Sequence, residues 1–488
     1  MKRKTYKKTK TIVQNVEITG MADRGRAVGR ADNGQVIFVE NAVPGDIVDV
    51  LILKDKKGFK EGIPNHFHKY SENRQEAFCQ HFGVCGGCKW QNLAYETQLE
   101  HKAIVVENAM KRIGKVSIGE ILPIVPALET QYYRNKLEFT FSNKRWLTKE
   151  EIAEGTTNYK NVLGFHRARA FDKIVEIEHC YLQKDPSNEL RNTIRDIGID
   201  LDLDFLDINA KSGFLRHLIL RITTRNEIML IVSFYKEDEQ KRTSFLDAIL
   251  KRFPQITSLH YCINAKENDF ILDLDIHTYH GKGYIEENLG EVKFKIGPKS
   301  FFQTNTKQAV RLFDKVVEFA GLTGNENVYD LYTGIGSIAL YIAKYCKQVV
   351  GIEEVGSAIE DAKENSKLNG FDNTIFYAGD VKNILSQKFS KEHGKPDLVI
   401  TDPPRAGMHE DVVKLLLLLE APKIVYVSCN PATQARDFGL LSDKYDIVKL
   451  QPVDMFPHTH HVETVALLQL KPKKGVQNWL NWLELSKK

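Results

Sequence analysis

Apolar and polar positions follow three rhythms along the chain, and each predicts a different kind of element. Over residues 11–70, short apolar runs alternate with turn residues. Segments 16–18, 36–39 and 47–53 read as strands, and Asp32-Asn33-Gly34 reads as a tight turn. About five short strands in ~60 residues predict a small β-barrel of oligonucleotide-binding type. A charged helical stretch over about 91–112 follows, and residues 130–290 mix strands with short helices, as in an α+β domain. From residue 300 onward the rhythm becomes a regular alternation. Apolar strands end at Tyr332, Glu353, Asp380, Asp402 and Cys429, and helices fit about 304–320, 336–345, 356–369, 408–420 and 431–440. That order predicts an α/β domain, a parallel sheet wrapped by helices. The expected division is an arm (1–10), a barrel (11–70), a central α+β domain (71–290) and a C-terminal α/β domain (291–488).

Composition narrows the partners and the compartment. With 68 Lys+Arg against 64 Asp+Glu in 488 residues, the net charge of +4 is too small to prove a polyanionic partner. Six of the first ten residues, however, are Lys2, Arg3, Lys4, Lys7, Lys8 and Lys10, a basic arm suited to nucleic acid. No apolar run follows it, so it does not read as a secretory signal. The longest greasy stretch, 412–427, is broken by Lys414, Glu420 and Lys423, so no membrane span is expected. A cytoplasmic monomer is the expectation. In that reducing setting, clustered cysteines point to metal binding or catalysis rather than disulfides.

The strand ends carry the candidate chemistry. Tyr426-Val427-Ser428-Cys429-Asn430-Pro431-Ala432 puts a cysteine at the carboxyl end of an apolar run, just before a proline that opens a helix. Ligands of α/β sheets gather at that edge, so Cys429 is placed as a nucleophile. Glu463, thirty-four positions on and preceded by His460-His461-Val462, is a candidate general base. The first β-turn-helix of the domain contains Asp330-Leu331-Tyr332-Thr333-Gly334-Ile335-Gly336-Ser337. Its two glycines let backbone approach a ligand, and Glu353, ending the next strand, suits ribose hydroxyls. The third glycine of the dinucleotide fingerprint is absent and Asp330 precedes the pair, which favours S-adenosylmethionine over a nicotinamide cofactor. Asp380 is placed to accept from an adenine amino group. In Asp402-Pro403-Pro404-Arg405, the prolines hold a rigid turn that fixes Asp402 at the site. Cys79, Cys85, Cys88 and the distant Cys180 offer four thiolates, enough for tetrahedral zinc or an iron–sulfur cubane. Cys262 and Cys346 read as core thiols.

Asp402-Pro403-Pro404-Arg405, Ser428-Cys429-Asn430-Pro431, and Asp454-Met455-Phe456-Pro457-His458-Thr459 with Glu463 resemble the RNA uracil-C5 methyltransferase family. Phe301-Phe302-Gln303-x-Asn305 strengthens the likeness, which spans nearly the whole chain. The resemblance implies a Rossmann-like methyltransferase domain with a TRAM barrel before it. It implies a [4Fe–4S] cluster on Cys79, Cys85, Cys88 and Cys180, and is closest to the branch acting on 23S ribosomal RNA. It implies that Gln303, Tyr332, Gly334, Gly336, Ser337, Glu353 and Asp380 line the cofactor site. Asp402 then stands near cofactor and target base, with Cys429 as nucleophile and Glu463 as base. Ser337 stands where the family commonly has Asn, and Thr333 where it usually has Cys.

The expected substrate is a flipped-out or single-stranded uridine. Tyr132-Tyr133-Arg134-Asn135-Lys136 and Phe165-His166-Arg167-Ala168-Arg169 interleave aromatic and basic residues in a way that suits unpaired RNA. Two other readings stand beside this one: the same chemistry on a transfer-RNA uridine, and a non-catalytic RNA-binding assembly factor. Retention of both Cys429 and Glu463 speaks against the second.

Overall fold

Inward-outward alternation, broken by bulges in the longer strands, closes a barrel at the start of the described residues. Strands β1 (Ile12–Ala22), β2 (Arg26–Arg30), β3 (Val36–Val39), β4 (Ile47–Asp55) and β5 (Phe59–Lys69) join in the order β1-β2-β3-β5-β4. Val16, Ile18, Ile37, Val39, Val48 and Val50 fill its interior. The expected turn is present: Gly34 has φ 79° and Asn33 Oδ1 accepts from Gln35 N between β2 and β3. Gly29 is needed where strands cross closely, since a Cβ there would lie 2.5 Å from Glu17 O. The computed structural model describes residues 11–22, 25–167 and 170–472. The basic arm, Ala168 and Arg169 lie outside the described residues.

Helix α1 (Tyr95–Ala109) ends in a π-turn at Met110–Gly114 and leads into β6 (Ile118–Ile121). The central domain is a seven-stranded sheet of β7 (Lys136–Lys144), β8 (Tyr159–Arg167), β9 (Ala170–Glu176), β10 (Leu215–Ile222), β11 (Ile228–Phe234), β12 (Ser258–Ile263) and β13 (His277–Gly281). Its order is β13-β12-β11-β10-β7-β8-β9. Short α2 (Lys149–Ala153) connects β7 and β8; α3 (Ser187–Asp200) and α4 (Glu239–Arg252) cover one face. Phe139, Phe141, Leu218, Leu230 and Phe245 pack there. The other face sends Ile219, Met229, Ile231 and Cys262 into the core of the C-terminal domain.

That second domain begins with the hairpin β14 (Ile285–Leu289) and β15 (Val292–Ile296), then α5 (Thr306–Ala320). Alternation follows: β16 (Asn327–Leu331), α6 (Ser337–Ile342), β17 (Gln348–Glu353), α7 (Gly356–Leu368), β18 (Thr374–Ala378), α8 (Val381–Ile384), α9 (Gln387–His393), β19 (Leu398–Thr401), α10 (Glu410–Leu419), β20 (Lys423–Ser428), α11 (Pro431–Leu441), β21 (Tyr445–Val453) and β22 (Glu463–Leu470). The sheet order is β18-β17-β16-β19-β20-β22-β21-β6. Its first five strands are parallel, as expected. Three features differ from the sequence expectation. β22 runs antiparallel between β20 and β21. β6, from well before the central sheet, pairs with β21. A division at 290/291 falls in the turn of the β14–β15 hairpin, both of whose strands bury Leu289 and Phe294 against α5 residues such as Phe313. Among the described residues, no helix is long and apolar enough to cross a membrane.

Candidate active site

Backbone register brings the two key side chains together. β20 and β22 pair with Ser428 opposite Thr464. Continuing one residue outward sets Cys429 opposite Glu463 at the carboxyl edge of the sheet. Thr464 Oγ1 donates to Ser428 O (3.2 Å) and to Gln434 Oε1 (2.8 Å), which locks that register. Asn430 caps α11, accepting from Ala432 N (3.1 Å), while its Nδ2 donates to Arg405 O (2.9 Å). The cysteine loop and the Asp-Pro-Pro-Arg loop are thus tied to each other. Sequence reasoning did not assign Arg405 a role, yet its charge acts on both Cys429 and Glu463.

Charge in this corner is mostly negative; Asp330 and Glu463 are buried, Asp402 and Cys429 half-buried, and Arg405 exposed. Burial pushes Glu463 up to about 8, with Asp402 adding to the rise and Arg405 opposing it. Burial, then the charge of Asp330, pushes Asp402 up to about 7. Asp330 itself rises to about 7, again from burial first. Burial also pushes the Cys429 thiol up to about 11, Glu463 and Asp402 adding to it. Arg405 pulls the other way and favours the thiolate. The resting site therefore holds a thiol, and carboxyls that shed their protons near neutral pH or above it.

The glycine loop is built from alternating left-handed residues: Tyr332 (φ 65°), Gly334 (φ 57°) and Gly336 (φ 83°). Two acids pin it. Asp330 Oδ2 accepts from Thr333 Oγ1 at 2.5 Å, and Glu353 Oε2 accepts from Gly334 N at 3.1 Å while Oε1 accepts from Val355 N at 3.0 Å. No atom lies within 4 Å of a Cβ placed on Gly334, so its Cα faces open space where a ligand would approach. Ser337 opens α6, half-buried. Gln303 precedes α5, its carbonyl accepting from Asn135 Nδ2 (2.9 Å). Asp380 caps α8, with Oδ1 accepting from Lys382 N and Oδ2 paired with Lys382 Nζ, both at 3.0 Å. Apart from Gln303, which follows the antiparallel β14–β15 hairpin, these residues follow or flank the carboxyl ends of parallel strands, as the alternation predicts.

A hub behind Glu463 was not foreseen. Lys102 and Asp454, both fully buried, pair at 2.6 Å. Lys102 Nζ also donates to Phe456 O (3.1 Å), and Asp454 Oδ2 accepts from Tyr95 OH (2.9 Å). Gln98 Oε1 accepts from His458 N (2.9 Å). Tyr95, Gln98 and Lys102 stand at i, i+3 and i+7 on α1, one face gripping the segment that leads into Glu463. The spacing was the available signal; nothing local said what the face would meet.

Cys79, Cys85, Cys88 and Cys180 line one small cavity with Phe82, Phe165, Ile177 and Leu182. Burial raises all four thiols, Cys85 and Cys88 to about 12. Beside them Arg191 is buried, donating to Ile177 O (3.1 Å), Glu178 O (2.7 Å) and Asn188 Oδ1 (3.0 Å). Of the two expected RNA-facing stretches, the first is corrected in part. Tyr133 is buried in the central core, its hydroxyl donating to Pro457 O (3.1 Å), so its ring cannot stack on a base. Arg134 lies over the Phe456 ring at 5.5 Å.

A parallel sheet with ligand-facing glycine and acid positions at its carboxyl edge, ending in an antiparallel strand pair, defines a Rossmann-like methyltransferase domain. The family model of tRNA (uracil-5-)-methyltransferases matches residues 221–471, and that of the TRAM domain matches 7–64. A Bacteroides thetaiotaomicron protein named an RNA methyltransferase is 51% identical over 92% of this chain and 100% of its own length. One of the same name from Porphyromonas gingivalis is 50% identical over 93% and 99%. The crystal structure of Pyrococcus abyssi tRNA (uracil-54, C5)-methyltransferase in complex with S-adenosyl-L-homocysteine superposes with a TM-score of 0.72 at 30% identity, covering 93% of this chain and 100% of that one. The chain belongs to the RNA uracil-C5 methyltransferase family.

Proposed function

We propose that the protein transfers a methyl group from S-adenosylmethionine to C5 of a uridine in 23S ribosomal RNA. The observation that carries this reading is the register that sets Cys429 opposite Glu463, with Asp402 and Arg405 against both. Uracil C5 is a weak nucleophile. Addition of the Cys429 thiolate at C6 converts the ring to an enolate that is nucleophilic at C5. The cofactor supplies an electrophilic methyl on a sulfonium when bound. Once C5 carries the methyl, Glu463 removes the C5 proton and the C6–S bond breaks, returning the thiolate. Arg405 favours the thiolate before attack, and Asp402 is placed to bond the imide edge of uracil. Glu353, Asp380 and Gln303, with the open face at Gly334, would hold the cofactor. Similarity to the Pyrococcus enzyme supports a second reading of the substrate, a transfer-RNA uridine, with identical chemistry.

The four cysteines fit a [4Fe–4S] cluster better than zinc. Among the described residues, the only metal-ligating groups of three or more with donor atoms within 4.8 Å of one another are His166, His217 and Asp269. The thiols are spread wider, whereas a zinc ion at about 2.3 Å from each sulfur would draw them to roughly 3.8 Å. Arg191, buried and without a carboxylate in ion-pair range among the described residues, offsets an anionic group at this position.

The test separates nucleophile from base. Cys429→Ala should lose methylation of unmodified 23S and transfer RNA alike while still binding cofactor. Glu463→Gln should accumulate a denaturant-resistant protein–RNA band that carries label from methyl-labelled cofactor, with turnover slowed by about 10²–10⁴-fold. An inactive glutamine variant that leaves no covalent species would remove Glu463 as the base. Methylation of transfer RNA alone would decide for the second substrate.

A further inference from the structure

Between the barrel and the cysteine-bearing loop lies a cavity of about 570 Å³, distinct from the methyl-transfer site. That volume is within the range of pockets that hold small ligands, about 300–1,000 Å³. Its barrel wall carries Phe67 and Tyr70, whose rings stack at 4.8 Å and 19°. Arg74 lies over both rings, at 4.9 and 5.5 Å, while held by Asp46 at 2.8 Å. Arg74 therefore stiffens the platform and is already paired. Tyr70 is 62% exposed, leaving its ring open to a further stacking partner. Lys89 also lines the cavity, and its ammonium makes no hydrogen bond or ion pair among the described residues.

The cavity shares a wall with the catalytic loop. A Cβ on Gly25 would lie 3.2 Å from Lys89 Cβ and 3.3 Å from His460 Cβ. Lys89 N donates to His458 O at 2.8 Å. His460 stands three residues before Glu463. A strand leaving the active site over the 458–461 segment thus meets, in order, a free cation and an open aromatic face. We propose that this cavity binds a second, unpaired nucleotide of the RNA substrate, its phosphate on Lys89 and its base stacked on Tyr70. An acidic peptide would use the cation and leave the flat ring unused. The proposal rests on the RNA-methyltransferase reading and extends it to a second contact along the strand.

The experiment compares two RNAs with the full-length protein: a short stem-loop presenting the target uridine, and the same stem-loop with a single-stranded extension of about ten nucleotides on either side. The wild type should bind the extended RNA more tightly. Tyr70→Ala should lose about 5- to 150-fold of that affinity, the range for one stacked base. Lys89→Met should lower the slope of log affinity against log salt by about one phosphate's share. Both variants should bind cofactor and methylate the short stem-loop as the wild type does. The proposal fails if the extension adds no affinity in the wild type, or if the gain survives both substitutions. Failure of the wild type to methylate the short stem-loop would instead count against the methyltransferase reading.

Discussion

At the scale of single residues, the active corner is governed by desolvation. Asp330 and Glu463 are buried and Asp402 half-buried, and burial is the largest cause raising each carboxyl. A carboxyl raised from 4.5 to about 8, as Glu463 is, binds its proton more tightly folded than unfolded. Its contribution to stability is then fully present below the unfolded value and disappears as pH climbs through the folded one. The two aspartates, raised from 3.8 to about 7, act in the same sense. Each of the three therefore contributes a fall in melting temperature as pH rises from about 4 to 8, against the histidines His260, His458 and His461, whose lowered values act in the opposite sense. Glu463→Gln, which cannot ionise, should make that fall shallower and melt higher than the wild type at pH 9. Thermal scans across this range check it, and equal slopes for the two proteins would contradict the buried-acid account. The same proton affinity suits the base role, since a carboxylate freed in so dry a place abstracts a proton strongly.

At the scale of elements, the segment that leads into Glu463 is held by a helix from the other end of the chain. α1 presents Tyr95, Gln98 and Lys102 to the 454–458 segment, and the Lys102–Asp454 pair is fully buried. Removing one member of a buried pair costs about 3–5 kcal/mol, because the other charge is left unsolvated. Lys102→Met should therefore destabilise the protein by that order and lower kcat. The double variant Lys102→Met with Asp454→Asn should regain much of the stability, but not kcat, because Phe456 O still lacks the donor that Lys102 supplied. Chemical denaturation and single-turnover kinetics separate the two effects. Cofactor affinity should change little, since Gly334, Glu353 and Asp380 belong to other loops.

At the scale of the whole molecule, the cysteine cavity joins segments that are otherwise distant. The loop at 79–88 is tied to the central sheet by the Cys85–Arg167 bridge, by Gln80 Nε2 donating to Glu178 Oε2 (3.0 Å), and by Glu178 N donating to His81 Nε2 (3.2 Å). The same loop reaches the catalytic segment through Lys89 N and Trp90 N, both donating to His458 O. A cluster held here would stiffen the link between barrel, central sheet and active site. Protein purified without oxygen should carry about four irons per chain with matching labile sulfide. Cys180→Ala should lose them and Cys262→Ala, in the apolar core, should not. Stoichiometric zinc without sulfide would overturn the cluster assignment.

Local pattern alone determined a great deal of this protein. Period-two alternation and Asp32-Asn33-Gly34 specify the barrel, because strand faces and turns are set by neighbouring residues. The strand ends that carry Tyr332, Glu353, Asp380, Asp402 and Cys429 were legible for the same reason, each apolar run stopping where a turn or capping residue begins. Cys79, Cys85 and Cys88 are close in the chain and visible together. What pairs across long separations was not legible. β6 joins β21 over some three hundred residues, and Lys102 finds Asp454 at a separation of 352. A polar side chain on a helix face carries no mark of its distant partner. Proton affinities at Cys429, Asp402 and Glu463 belong to the same class, since burial exists only once the sheet, its two antiparallel strands and the loops at its edge have closed around them.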